Sequence, residues 1–295
     1  MKQFFYKNRK WFAYFLYCFF VVVALLYTRF PSAAFKDYLE SAASEMDNRV
    51  DLSIHELRLV FPPGMVLTGA KLTLRNDPGS ALFDAESVSV RPEWLPLFFG
   101  GRTYHFKAEA YGGQLKGSVS LAEGNPAGSC TASLRADHIQ IQRYAPLSLL
   151  AQAHFKGDLN GDILFKGRFD KIIGGEGEAD LYVSGGNMKL GTPFLGVDSI
   201  DFGRLTINMS LGNRRIRVVR VDLKGDTLQG ALSGTINLTT DMLRSRLNLK
   251  GNVEPLEGFM SSNQGILQLF RQKTGSMKKL FTIQGTLGIP RFSFS

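Results

Sequence analysis

The sequence predicts a mainly β protein: a single N-terminal transmembrane helix, then one long, strongly curled antiparallel β-sheet with a few short helices. Three observations carry that expectation. From Arg49 onward the dominant hydropathy period is two, the signature of strands with one dry and one wet face. Turn-forming pairs recur at short intervals, which joins antiparallel neighbours. The chain holds 31 glycines, many of them inside the alternating runs, where a missing side chain permits sharp bending.

The first element is the N-terminal helix. Lys2, Lys7, Arg9 and Lys10 precede an uncharged run from Trp11 to Thr28. As a helix, Trp11 to Tyr27 spans about 26 Å against a hydrocarbon core of about 30 Å. Phe4, Phe5, Tyr6, Trp11, Tyr14 and Tyr27 supply interfacial aromatics, and cations without acids before the run place the N-terminus in the cytoplasm. A cleaved signal peptide is the competing reading, with Ser32 and Ala34 as small residues near a cleavage site. The apolar run exceeds a usual signal core, and Arg29 lies between it and that site, so an uncleaved anchor is expected. The division is then 1–10 as cytoplasmic tail, 11–28 as transmembrane anchor, 29–48 as amphipathic helix or linker, and 49–295 as one β domain across the membrane.

In the second element, Phe35, Tyr38, Leu39, Ala42, Ala43 and Met46 recur at three and four residues, marking one helical face that starts at Pro31 or Ser32. That face either packs on the end of the sheet or lies at the membrane surface.

The strands follow. Leu52 and Ile54, then Leu57, Leu59 and Phe61, form a first strand with a change of phase that suggests a bulge. Residues 67–74, 82–90 and 104–111 continue the series. The clearest alternation places Leu228, Leu232 and Ile236 on one face, and Leu247, Leu249 and Val253 repeat it. These six residues are the candidate apolar groove. Gly112-Gly113, Asn125-Pro126, Gly174-Gly175, Gly185-Gly186 and Gly212-Asn213 read as turns. With about 8–12 residues per strand and turn, 14–16 strands are expected. Short helices are expected over 92–99, 141–152 and 255–274. Three short helices cannot cover so long an apolar face, so the sheet should close as a sandwich or barrel, or curl into a trough. A weak echo between Lys156-Gly157-Asp158 and Lys224-Gly225-Asp226 suggests a repeated build.

Chemistry is sparse. Net charge is +9, but four of the cations lie in the first ten residues, leaving +5, too mild to indicate nucleic acid. Cys18 and Cys130 are too far apart in character and position to form a disulfide, and Cys130 reads as a small buried residue. His55, His105, His138 and His154 have no metal-ligand spacing, and neither a nucleophile elbow nor a phosphate-binding loop occurs. No enzymatic activity, metal or cofactor is expected. The sharpest charge feature is Arg214, Arg215, Arg217 and Arg220, a candidate contact for lipid headgroups or an acidic partner, or alternatively a strand guarded by charge against aggregation.

The layout resembles type II secretion system protein N (GspN). The resemblance is carried by Val197-Asp-Ser-Ile-Asp-Phe202, by Leu223-Lys-Gly-Asp-Thr-Leu-Gln-Gly-Ala-Leu-Ser-Gly234, and by Phe281-Thr-Ile-Gln-Gly-Thr-Leu-Gly-Ile-Pro-Arg-Phe292. Its C-terminal part also resembles AsmA-like proteins of the Gram-negative envelope. The first resemblance implies an accessory, single-pass inner-membrane subunit of a type II secretion system. Its bulk would be periplasmic and would contact other secretion subunits. The second implies a sheet with an apolar trough that handles phospholipid or another envelope lipid. Neither implies catalytic residues.

Overall fold

The structure is a computed structural model, and it describes residues 9–46, 48–61, 64–75, 77–93, 101–122, 129–144, 153–168, 173–194, 197–256 and 278–294. Two helices come first, α1 (Arg9–Thr28) and α2 (Ser32–Met46). Fourteen strands follow: β1 (Val50–Val60), β2 (Gly64–Leu74), β3 (Asp77–Pro92), β4 (Arg102–Ala110), β5 (Gly113–Leu121), β6 (Ser129–Gln140) and β7 (Ala153–Arg168), then β8 (Glu176–Phe194), β9 (Val197–Gly212), β10 (Arg215–Lys224), β11 (Leu228–Asn237), β12 (Arg246–Pro255), β13 (Lys279–Thr286) and β14 (Pro290–Phe294). They form one antiparallel sheet in which each strand pairs with its neighbours in sequence, from β1 through to β14.

The β1–β2 ladder shows how the expected phase change is built. Register is constant from Val50↔Leu74 to Val60↔Gly64, yet the buried pairs are Ile54 with Ala70 and Leu57 with Leu67. Both strands change phase at the same step, where Gly69 takes φ +61° against His55. A paired irregularity therefore replaces a one-sided bulge. True bulges occur elsewhere, in β6 between Ala136 and Ile139 and in β10 between Val218 and Val221. In β6, His138 adopts φ 52° and its amide donates to the Oδ1 of the buried Asn160, 2.9 Å away.

The sheet is not strongly curled, which corrects the expectation drawn from its glycines. The glycines serve another purpose. Phe106 pairs with Gly117, Phe202 with Gly186 and Phe281 with Gly251 across the ladders. In each case the phenylalanine ring fills the space a glycine Cβ would need, for instance 2.6 Å from the Cζ of Phe106 at Gly117. Phe165 does the same over Gly167 and Gly175. These glycines seat aromatic rings flat on the sheet rather than folding it. Gly185-Gly186, expected as a turn, lies inside β8, with Gly185 at φ +57°. The echo has no structural counterpart: Gly157 interrupts the middle of a strand, whereas Gly225 closes the β10–β11 turn by donating to the Leu228 carbonyl at 3.0 Å. The short helices expected at 92–99, 141–152 and 255–274 lie largely outside the described residues. What is described of them is a 3-10 turn at Ile141–Arg143 and the strand ends at Pro92 and Pro255.

α1 is 20 residues long, and among the described residues no helix is long and apolar enough to cross a membrane. The uncharged run is short for a bilayer and carries Tyr14, Tyr17 and Tyr27, which lower its apolar content. Trp11, Phe12, Phe15, Tyr17, Phe20 and Val22 all remain exposed. Its end is tied to the first hairpin, where the Tyr27 hydroxyl donates to the Val60 carbonyl at 3.1 Å and its ring meets Phe61 edge-on.

α2 packs on the β1 end of the sheet, the first of its two expected placements. Phe30, Phe35 and Leu39 press against Ile54, Leu57, Leu67 and Ala70. Ile54 is fully buried, and its amide donates to Glu40 at 2.8 Å, so the helix satisfies an edge donor as well as covering apolar surface. The far end of α2 is held by Arg75, whose Nη2 donates to Ser44 Oγ and Asp51 Oδ1, each at 2.7 Å. The Arg75 guanidinium lowers the Asp51 pKa, chiefly through that hydrogen bond. With the folded pKa depressed, this contribution is complete above the ordinary carboxylate range and fades as pH falls through the lowered value. Replacing Arg75 by Ala should return Asp51 to the ordinary range in a carboxyl NMR titration, and should make exchange of the α2 amides faster.

Candidate functional site

The site is the apolar face of the sheet, assembled by register alone. One row of cross-strand partners runs Leu59, Met65, Val90, Phe106, Gly117, Leu134, Ile163, Ala179, Met209, Val218, Gly234, Leu249, Ile283, Phe292. Every position from β1 to β14 is apolar or glycine. The next row, from Leu57 through Leu67, Val88, Ala108, Leu115, Ala136, Gly161, Leu181, Ile207, Val221, Leu232 and Gly251 to Phe281, is equally unbroken. At about 4.8 Å per strand, thirteen steps make a continuous apolar surface about 60 Å long. The bulge in β10 preserves it: with two residues set against one, Val218 and Val221 both stay on the apolar side while Val219 is turned out.

Parts of this face are covered. α2 covers the β1–β2 end, and Ile141 packs on Val183 and Phe202. Ala85, Ala108 and Ala110 form a small-residue cluster under Phe83 and Tyr111. Tyr111 in turn meets Tyr144 edge-on, and burial raises the pKa of both phenols. Over the middle of the sheet the side chains remain half-exposed, among them Phe106, Leu134, Ile163, Leu181 and Met209. A cavity of about 700 Å³ across β4 to β7 is lined mostly by residues of the opposite, polar face, among them Lys116, Arg135 and Asp162, and is not part of this apolar surface. A half-wet apolar surface of this length is unusual for a protein with nothing bound to it.

The six groove residues expected from sequence all lie on this face. Leu228, Leu249 and Val253 are buried, whereas Leu232, Ile236 and Leu247 are half-exposed. They occupy its β11–β12 part, and the remainder was not identified from sequence. The arginines lie on the other side. Arg215, Arg217 and Arg220 are exposed on the polar face, and Arg214 sits in the β9–β10 turn at φ 58°. The sheet therefore separates them from the groove residues. Arg215 Nε donates to Asn237 at 2.8 Å, and Arg220 pairs with Asp222. Cys130 is buried and both cysteines are free. Among the described residues no cluster of His, Cys, Asp and Glu is placed to hold a metal ion.

No family model, curated protein or solved structure matches this chain.

Proposed function

We propose that the protein binds lipid of the Gram-negative envelope by laying acyl chains along the apolar face, and that α1 attaches it to the inner membrane with the sheet on the periplasmic side. The observation that carries the reading is the pair of unbroken apolar rows, half-exposed across the middle of the sheet. Phenylalanine rings lying flat over glycines keep that surface smooth, which suits a flexible alkyl chain better than a shaped polar ligand. Each buried CH₂ is worth about 0.8 kcal/mol, so a few chains along such a surface bind without any polar anchor. The membrane attachment rests on α1, which exposes Trp11, Phe12, Phe15 and Val22 and whose N-terminal flank is cationic.

The test is lipid analysis of the full chain purified from native membranes in mild detergent. Stoichiometric lipid that survives extensive washing supports the proposal. Protein free of lipid, with the apolar face protected from solvent labels by its own chain, contradicts it. The resemblance to the GspN family carries a second reading, an accessory type II secretion subunit acting through periplasmic protein contacts. That reading expects secretion subunits, rather than lipid, to accompany the purified chain.

A further inference from the structure

The polar face carries a charge pattern that is complementary to itself. On β8, Glu178 and Asp180 point outward, with Glu176 preceding them, and all three are exposed. On β10, Arg215, Arg217 and Arg220 point outward too, held in one file because the bulge at Val219 skips a residue. Between them β9 presents small neutral residues. Glu178 pairs with Ser210, which pairs with Arg217; Asp180 pairs with Asn208, which pairs with Arg220. Each acid thus shares a row with an arginine two strands away, their backbones about 10 Å apart; within one copy Asp180 accepts from Asn208 Nδ2 at 2.6 Å and Arg220 pairs with Asp222. Among the described residues neither Glu178 nor Arg217 makes an ion pair.

We infer that this patch is a self-association surface whose occupant is a second copy of the chain. Place a twofold axis along β9, between two polar faces brought together. The rotation sets β8 of each copy over β10 of the other and keeps height along the strands. Glu178 then meets the arginine of its own row, Arg217, on the second copy, and Asp180 meets Arg220. Small Ser210 and Asn208 lie at the axis and allow close approach. A cavity of about 400 Å³ lined by Ser210, Arg215 and Arg217 gives the incoming carboxylate a place to enter. Such an interface is isologous, small and polar, so the dimer is weak and salt-sensitive, and a shared membrane would raise its occupancy. It leaves the apolar face open and does not depend on the lipid reading.

The experiment is sedimentation velocity of the full chain in detergent over a concentration series, at about 50 mM and about 500 mM salt. The expected result is a monomer–dimer equilibrium at low salt that shifts to monomer at high salt. Glu178→Arg and Arg217→Glu should each weaken association by about tenfold or more, since every dimer then holds two like-charge contacts. The Glu178→Arg, Arg217→Glu double variant should associate again, because the swapped charges meet across the axis. Circular dichroism checks that each variant stays folded. A monomer at every low-salt concentration overturns the inference. So does a dimer that the single reversals leave unchanged, or a double variant as weak as the singles.

Discussion

Replacing Leu134 and Ile163 together by Asp should strip the protein of bound lipid while leaving the sheet folded. The two residues are cross-strand partners on β6 and β7, half-exposed, in the middle of the apolar row that runs from Leu59 to Phe292. Because water already reaches them, two carboxylates there cost folding little. An acyl chain laid over them would instead have to desolvate both charges, which is far costlier than losing two apolar contacts. Lipid per protein should fall by at least about tenfold, the equivalent of about 1.4 kcal/mol. The far-ultraviolet spectrum should remain that of the parent. Leu249→Asp makes the contrasting control: Leu249 is 7% exposed, so its replacement should unfold the β11–β13 region rather than report on binding. Retention of stoichiometric lipid by a folded Leu134→Asp, Ile163→Asp variant would place the lipid elsewhere.

Gly186→Val should give one of the largest losses of stability for a single substitution outside the classical core. A Cβ at Gly186 would collide with the ring of Phe202, which is 4% exposed and packed with Val183 and Ile141. The ring cannot swing outward without opening that cluster, so the strain falls on the β8–β9 ladder. Overpacking of this kind costs about 1–3 kcal/mol, and a branched side chain belongs at the upper end. The readout is the midpoint of denaturant unfolding. Adding Phe202→Leu should recover part of the loss, because the smaller side chain vacates the space. Gly212→Ala is the neutral control, since nothing lies within 4 Å of its Cβ position. An unchanged midpoint in Gly186→Val would show that the ring is not fixed over the glycine.

The strand content, the start of α2 and the Gly112 and Gly212 hairpins were legible in the sequence because each has a local cause. Period-two hydropathy, a helix start at Ser32 and left-handed turn residues do not depend on distant contacts. The groove was legible only at β11–β12, where leucine, isoleucine and valine alternate plainly with polar residues. Elsewhere glycine occupies apolar-face positions such as 117, 161 and 177, and the pattern looks interrupted until the cross-strand phenylalanine or leucine is known. The same pairing explains the wrong expectation of curvature. Interior glycine permits bending, but here Phe106, Phe165, Phe202 and Phe281 claim the vacated space. The side of the sheet taken by Arg220 was also hidden, since a bulge shifts parity and leaves no distinct residue signature in Val218-Val219-Arg220.

The most direct measurement of the central claim is photocrosslinking to lipid in living membranes from single positions on the two faces. A photoreactive side chain at Ile163, Met209 or Leu232 reports the apolar face, and one at Lys116 or Ser233 reports the polar face. The account predicts lipid adducts from the first three positions, spread over several strands, and none above background from the other two. Equal labelling of both faces, or adducts from neither, would contradict it.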